Sequence, residues 1–280
     1  MKNKTRIALI ICLILAVLGA GLVGAGLALG GQPNFRLDWK NRTLVGGDAE
    51  LQSGEVAPEA FTALEIDVAT ADIEVRVGDT FAVEYALTEE PEITQEGGVF
   101  RLTEPSHSGI NIVGFSGLGT GKGQYVRVTV PADAQLDSVK LDGATGDMTV
   151  SQLKCKTLTV DLSTGDANLI AVSADKLTAE ASTGSIILTD CSVKDAELDV
   201  STGDIEARDL SVTGSLNADA STGDVELDIL GRAADFAMEL SSGTGSVSVD
   251  GRDYHHDHAS SGSIPLKVEA STGDVDVTFS

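Results

Sequence analysis

A short histidine-rich segment holds the side chains of this sequence that are best suited to bind a metal ion: His255, His256, Asp257 and His258. Imidazole nitrogens are common ligands of zinc, copper and nickel. Adjacent ligands in one loop rarely close a tetrahedral site by themselves, and no cysteine lies nearby. We therefore expect a surface loop that interrupts a repeat unit, with a metal site as the alternative.

Aspartates recur directly after a series of evenly spaced glycines. They are Asp147, Asp166, Asp204 and Asp224, and Ser185 takes the corresponding place once. Stacked carboxylates could hold Ca²⁺, which prefers several oxygen ligands. However, the chain lacks the nonapeptides dense in glycine and aspartate that are typical of calcium-binding β-rolls. We expect solvated turn aspartates and no cofactor, and a cation-binding surface protein is an alternative.

Catalytic chemistry on a polysaccharide would need a distinct pair of carboxylates. Acidic residues are abundant, but no pair stands out from the repeat. Aromatic residues make up only 4% of the chain, although sugar-binding grooves usually stack sugars on aromatic rings. We therefore predict that the protein is not an enzyme. The alternative is a polysaccharide-active enzyme outside the cytoplasm on a β-helix scaffold.

The glycines that precede these aspartates define an internal repeat. Successive turn glycines are 19 or 20 residues apart, and one further copy of Ser-Thr-Gly-Asp follows: Gly146, Gly165, Gly184, Gly203, Gly223, Gly243, Gly262 and Gly273. A fixed period near 20 residues is typical of a solenoid. Glycine reaches backbone angles that other residues avoid, and Ser, Thr and Asp can bond to nearby amides. A tight turn therefore explains the motif.

Apolar residues alternate on both sides of each turn, as in Leu158, Val160 and Leu162 before Gly165. A period of two indicates strands with one buried face. A further apolar column is expected seven residues after each glycine: Leu153, Val172, Cys191, Leu210 and Leu230. The predicted fold is all-β. It is a β-solenoid, a single-stranded β-helix-like stack with about 19–20 residues per coil, preceded by one N-terminal transmembrane helix.

The N-terminal segment Ile7–Leu29 is uncharged and long enough as a helix to cross a bilayer core of about 30 Å. Basic residues precede it, so we expect an uncleaved signal anchor and a single-pass membrane protein with its C-terminal domain outside the cell. We expect the chain to have four parts. Residues 1–31 form a cytoplasmic tip and the transmembrane signal anchor, residues 32–60 a juxtamembrane linker, residues 61–137 an irregular β region with hairpins that cap the solenoid, and residues 138–280 the regular β-solenoid repeats.

The chain carries 19 basic and 43 acidic side chains and a formal net charge of −24. Nucleic-acid binding depends on neutralising phosphates with Lys and Arg, so this charge argues against a nucleic-acid partner. It favours a basic protein of the cell envelope or surface. The identity of that partner, the oligomeric state and the handedness of the solenoid stay open.

The sequence resembles the bacterial β-strand-repeat family labelled "putative adhesin", a domain of unknown function. The resemblance covers about residues 60–280 and rests on Ala63–Val68, on Val130-Pro131 and on the Ser-Thr-Gly-Asp turns. It implies a membrane-anchored domain, and some members are associated with envelope stress. We therefore predict a non-enzymatic β-repeat module that binds envelope partners.

Overall fold

The computed structural model describes residues 51–105 and 123–280, together with the backbone of two short strands, β1 (Phe35–Asp38) and β2 (Thr43–Gly46). β1 and β2 pair antiparallel within a separate compact unit. The apolar segment Ile7–Leu29 lies outside the described residues. Among the residues that are described, no helix is long and apolar enough to cross a membrane.

The larger unit is all-β, as predicted, and begins at Leu51, within the segment that the sequence assigned to a linker. The described helical structure is one 3-10 turn, Ala233–Asp235. Strands that precede the turns belong to one sheet, which we call the pre-turn sheet and which also includes the end strands β7, β8 and β22. Its members are β4 (Ala63–Thr70), β7 (Glu92–Glu96), β8 (Val99–Thr103), β10 (Leu136–Thr145), β12 (Lys154–Thr164), β14 (Ser173–Thr183), β16 (Ser192–Thr202), the second half of β17 (Ile205–Thr222), β19 (Phe236–Ser242), β22 (Asp257–Ala259) and β23 (Ile264–Thr272).

Strands that follow the turns form the second, post-turn sheet: β3 (Gln52–Val56), β5 (Asp72–Gly78), β6 (Ala82–Leu87), β9 (Tyr125–Pro131), β11 (Met148–Ser151), β13 (Ala167–Ile170), β15 (Ile186–Thr189), the first half of β17, β18 (Val225–Ile229), β20 (Val247–Val249), β21 (Arg252–Asp253) and β24 (Val275–Phe279). One pre-turn strand, its turn and the next post-turn strand make up one coil, so each coil contributes two strands.

Neighbouring coils pair in parallel, and equivalent residues face each other. Leu158 on β12 pairs with Leu177 on β14, which pairs with Ala196 on β16, at a constant offset of 19 residues. Because side chains alternate across a strand, this register aligns every apolar position between the two sheets. These side chains, such as Leu198 and Ile205, are fully buried. Burial of this apolar surface is the main force that holds the coils together.

A corner follows each post-turn strand in the regular coils. Gln152, Ala171, Asp190 and Asp209 adopt left-handed backbone angles there, with φ between 53° and 60°. The next residue then points inward, and Leu153, Val172, Cys191 and Leu210 are buried as predicted. Leu230 is an exception.

Leu230 was expected in the buried corner column but is 43% exposed. In its coil the position six residues after the turn glycine, Ile229, has no positive φ, so β18 reaches the corner one residue sooner than β17 does. Ile229 therefore pairs with Leu210 and fills the buried position.

The order of coils in space differs from their order along the chain. β23 lies between β17 and β19, and β24 lies between β18 and β20. The coil formed by residues 264–279 is therefore inserted between two earlier coils. Similarly, β4 lies between β8 and β10 in the same sheet.

Antiparallel strands close both ends of the stack. β7 pairs with β8 and β3 with β6 at one end, whereas β21 pairs with β20 and β22 with β19 at the other. Aromatic rings fill the core near these ends. Phe61 contacts Phe81 and Phe100, with ring centroids 4.6 and 5.6 Å apart, and Phe236 lies 5.1 Å from Phe279.

Candidate functional site

The turn glycines are required by both conformation and packing. Gly146, Gly165, Gly184, Gly203, Gly223 and Gly273 all have φ between 126° and 140°. Side chains rarely adopt this region of backbone space. A Cβ atom on Gly184 would also collide with the carbonyl oxygen of Gly165 in the neighbouring coil. The glycine column therefore sets how closely the coils approach.

Two of the predicted turn glycines, Gly243 and Gly262, lie elsewhere. β19 pairs with β23 so that Ser242 faces Ala270, and this register brings Gly245, rather than Gly243, against the carbonyl of Gly273. Gly245 has the expected positive φ, 153°. Gly262 precedes β23 and lies against the backbone of Phe236. The even spacing of glycines in the sequence was misleading at these two positions.

The residues after the turn glycines form a continuous hydrogen-bonded ladder. Each side-chain oxygen accepts the backbone N–H of the equivalent residue in the next coil. The bonds run from Asp147 N to Asp72 Oδ1 (3.0 Å), Asp166 N to Asp147 Oδ1 (3.0 Å), Ser185 N to Asp166 Oδ1 (2.8 Å), Asp204 N to Ser185 Oγ (3.2 Å), Asp224 N to Asp204 Oδ1 (2.8 Å), Asp274 N to Asp224 Oδ1 (2.7 Å) and Ser246 N to Asp274 Oδ1 (2.7 Å).

This aspartate ladder gives the turn carboxylates a structural task, because each satisfies an amide that the sheets do not use. Ser185 continues the ladder with its hydroxyl oxygen rather than interrupting it. Within the described residues, no group of three or more His, Cys, Asp or Glu side chains is arranged to hold a metal ion.

A second acidic array, which we call the acidic column, runs along the outer face of the pre-turn sheet. Its members face each other in successive coils: Asp67, Asp142, Asp161, Glu180, Asp199, Asp219 and Glu269. Lys140 lies 3.8 Å from Asp142, and Lys267 lies 3.0 Å from Glu269. Like charges directly opposite each other are destabilising, so this arrangement has an energetic cost.

The acidic column shifts the protonation of two of its members. The pKa of Asp219 is raised, first by partial burial and then by the neighbouring charges of Asp199 and Glu269. The pKa of Asp67 is raised by burial and by Asp142, and Lys140 partly opposes this shift. For both carboxylates the charged form is therefore less favourable than it is for an isolated aspartate.

The outer face of the post-turn sheet has a different character. In β11, β13 and β15 all outward side chains are uncharged, and we call this area the neutral band: Thr149, Ser151, Asn168, Ile170, Ile187 and Thr189. Ile170 is 42% exposed. The band is notable because the whole chain has a net charge of −24.

The predicted histidine segment connects β21 to β22 at one end of the stack, and β21 pairs with β20 while β22 pairs with β19. His255 has a positive φ of 65°, and its backbone N–H donates to Asp253 Oδ1 at 2.7 Å. The ring of His258 lies 4.0 Å from that of Tyr254, and the Arg252 guanidinium lies 5.1 Å from the same tyrosine ring. The segment is therefore an end connection outside the regular coils.

The repeat region also identifies the protein family of this chain. The sequence profile named Toastrack DUF4097 matches residues 61–214 and, in a second overlapping match, residues 135–278. The chain belongs to the Toastrack DUF4097 family. The comparison with curated proteins gives no match.

Solved structures share the fold of this Toastrack chain at low sequence identity. A "putative adhesin" from Bacteroides fragilis NCTC 9343 has a TM-score of 0.52 at 14% identity, covering 82% of this chain and 98% of its own. A "putative lipid binding protein" from Parabacteroides distasonis ATCC 8503 has a TM-score of 0.45 at 14% identity, covering 82% and 98% of the two chains. At this identity the first comparison establishes the fold alone.

Two shallow depressions lie on the surface of the Toastrack stack among the residues described. One of about 460 Å³ lies beside Asp72, Tyr125 and Arg127 on the post-turn face. The other, of about 190 Å³, is lined largely by carboxylates, including Asp224 and Asp276. Arg127 is already paired with Glu74 at 2.6 Å.

Two acidic features of this Toastrack chain were not predicted from its sequence. The acidic column was visible as an acidic residue four positions before each turn glycine, for example Asp161 before Gly165. Glu104 had no such signal. It is buried, and its Oε2 accepts the Ala69 N–H at 2.8 Å at the point where β8 has ended and no turn follows.

The two described cysteines are free thiols without catalytic character. Burial raises the pKa of Cys155 to about 12, and the nearby charge of Asp175 adds to the effect. Cys191 is buried in the corner column, with Sγ 3.3 Å from the Leu169 carbonyl oxygen. A thiol with a raised pKa is a poor nucleophile because its thiolate is scarce.

Proposed function

We propose that this chain is a non-enzymatic binding module, held outside the cytoplasm by an N-terminal anchor, whose β-solenoid binds a basic partner of the cell envelope or surface. The observation that carries the proposal is the acidic column. Seven carboxylates face outward in seven successive coils, and Lys140 and Lys267 pair with only two of them. A surface of one charge attracts and orients a partner of the opposite charge.

The shape of the acidic column favours an extended partner. Strands lie about 4.8 Å apart, so seven coils present carboxylates over roughly 29 Å. Small ligands are usually held in enclosed pockets, whereas the described depressions are shallow. A basic segment that lies along the stack would also relieve the repulsion that raises the pKa of Asp219. The "putative adhesin" name of the similar Bacteroides fragilis structure agrees with a binding role.

Binding to an oligolysine peptide tests the acidic column. The first variant of the full chain in detergent micelles combines Asp161→Asn, Glu180→Gln and Asp199→Asn. A control variant with the same charge change combines Glu206→Gln, Glu226→Gln and Asp276→Asn on the post-turn face. We expect affinity to fall about tenfold in the first variant and about twofold in the control, at low salt.

Two results would contradict the proposal. Equal losses in both variants would mean that only the total charge matters. Reproducible cleavage of peptidoglycan or another polysaccharide, abolished by one carboxylate substitution that leaves the fold intact, would identify an enzyme instead.

The proposed anchor is supported by the uncharged run Ile7–Leu29 and by Lys2, Lys4 and Arg6 before it. Protease added to intact, wall-stripped cells should then remove a tag placed after Ser280. A protected tag, or processed protein in the medium, would rule out this topology.

A further inference from the structure

The neutral band lies between two matched pairs of charges. Glu74 and Arg76 flank it on β5, and Glu206 and Arg208 flank it on β17. The register arranges these side chains in two columns across five strands. The first column is Glu74, Thr149, Asn168, Ile187 and Glu206, and the second is Arg76, Ser151, Ile170, Thr189 and Arg208.

We propose that the neutral band is the centre of a face-to-face contact between two copies of this chain, related by a twofold axis parallel to the stack. Two copies that each carry a formal charge of −24 repel each other over most of their surfaces. They can approach only where that charge is absent or compensated. Within the two columns, the five strands from β5 to β17 satisfy this condition, because the outward side chains there are two Glu, two Arg and the neutral band. The aspartate ladder, which begins at Asp72 on β5, borders the first column.

The pattern of charges selects the orientation of the two copies. A twofold axis parallel to the stack, midway between the columns, exchanges one column for the other. Glu74 then faces Arg76 of the second copy, and Glu206 faces Arg208, at both ends of the band. An axis parallel to the strands would reverse the stack and bring glutamate opposite glutamate. Because like charges in a contact are strongly unfavourable, the first arrangement is selected.

The same arrangement covers the exposed apolar side chains. Ile170 faces the Asn168 position of the second copy and neighbours its Ile187, since the two residues lie on adjacent strands in opposite columns. Within each copy, Arg76 lies 3.4 Å from Glu74, and Arg208 lies 2.8 Å from Glu206. The contact therefore joins two existing ion pairs into a four-charge network at each end of the band.

The contact is limited in size. Beyond β17, the next strand carries Glu226 and Asp228, which would face each other across the axis. Sheet twist separates the faces at this distance from the centre. Five strands about 4.8 Å apart and about five residues long cover roughly 400 Å² on each copy, or about 800 Å² in total, below the range of stable specific interfaces. The pairing is accordingly weak and reversible.

Site-specific cross-linking tests this pairing in the full chain in detergent micelles. Asn168→Cys places a thiol within the neutral band, and a short bismaleimide links two such thiols across the contact. Leu230→Cys is the control, because Leu230 is exposed but lies outside the band. We expect about tenfold more cross-linked dimer from the first variant than from the control at low salt. The unmodified chain gives the background.

Charge reversal then tests the axis in the Asn168→Cys background. Glu206→Arg alone and Arg208→Glu alone should each lower the cross-linked yield about fivefold, because each creates two like-charge contacts. The double reversal restores both the net charge and the pairing, so the yield should recover. Association through the membrane segment would not respond to this exchange. Equal yields from Asn168→Cys and Leu230→Cys, or no recovery in the double reversal, would overturn the proposal.

Discussion

At the scale of single residues, each turn glycine meets two separate demands. The first demand is a residue that tolerates a positive φ. Gly97, in the hairpin between β7 and β8, has a φ of 60° and meets only this demand. A Cβ atom at Gly97 would contact nothing within 4 Å. Gly184 must in addition leave room for the Gly165 carbonyl. The two positions separate backbone strain from coil-to-coil packing.

We expect Gly184→Ala to destabilise the protein by at least about 3 kcal/mol, because it combines an unfavourable φ with a clash against rigid backbone. Gly97→Ala should cost about 1 kcal/mol, the strain of the left-handed conformation alone. Urea unfolding followed by circular dichroism measures both. Similar losses in the two variants would show that the close approach of the coils at Gly184 is not required.

The raised pKa of Asp219 has a consequence for pH dependence. In the folded protein this carboxyl binds its proton more readily than in the unfolded chain, whose ordinary pKa is 3.8. The folded state is therefore disfavoured above the raised pKa, and stability returns as the pH falls through that value towards 3.8.

We expect Asp219→Asn to stabilise the protein at pH 7, and we expect this advantage to shrink as the pH falls to about 4. Asp133→Asn, in the exposed turn after β9, removes the same charge outside the acidic column and serves as control. Thermal unfolding from pH 4 to pH 8 provides the measurement. A constant difference between Asp219→Asn and the unmodified protein would contradict the cause assigned here.

At the scale of elements, the aspartate ladder joins turns that side-chain packing alone would leave loosely connected. Asp204→Asn preserves the Oδ1 atom that accepts the Asp224 N–H, so stability should change by less than about 0.5 kcal/mol. Asp204→Ala removes the acceptor and should cost about 1 kcal/mol. Leu198→Asp, by contrast, places a charge in the buried column and should prevent folding. Chemical denaturation distinguishes the three, and an Asn variant as unstable as the Ala variant would exclude the hydrogen bond as the cause.

The sequence predicted the elements well wherever side-chain period and turn chemistry agreed. The apolar alternation around Gly165 and Gly203 identified the buried faces, because successive side chains of a strand point to opposite faces and only one face is buried. The same logic failed at Leu230 and Gly243. Seven-residue and nineteen-residue spacings continue in the sequence there, while the strand bounds shift by one or two residues.

The neighbour of each coil could not be predicted in the same way. Leu216 on β17 pairs with Leu266 on β23, yet Met238 on β19 would also suit that position. Periodicity specifies what a coil buries and does not specify which coil covers it. The acidic column had a signal in the sequence, an acidic residue four positions before the turn glycines, but it was missed because the alignment of these carboxylates into one column depends on the register between neighbouring coils.

At the scale of the whole molecule, the inserted coil of residues 264–279 separates residues 236–259 from the remainder of the stack. β19 pairs only with β23 and β22, and β20 only with β24 and β21, among the strands described. The segment 236–259 therefore depends on the inserted coil for its attachment to the stack.

Deleting residues 264–280 should therefore release residues 236–259 from the stack while β10 to β16 stay folded. Hydrogen exchange followed by mass spectrometry should show loss of amide protection across the whole of 236–259 and near-native protection in β12 and β14. A control with Leu266→Ala, which keeps the backbone of the coil, should lose stability without this selective release. Protected amides in 236–259 after the deletion would mean that β17 and β19 can pair directly.

The inserted coil also determines when residues 236–259 can join the stack during synthesis of the chain. Strands β10 to β17 can join the stack in the order in which they leave the ribosome, since each pairs with its predecessor. Residues 236–259 find no native partner in the rest of the stack until residues 264–279 have followed, which takes about 1–4 s at 5–20 residues per second. During that interval the exposed edge of β17 and the apolar face of β19 are available to chaperones, to export machinery and to other nascent chains. Once residues 260–279 have been synthesised, the inserted coil covers both of these surfaces.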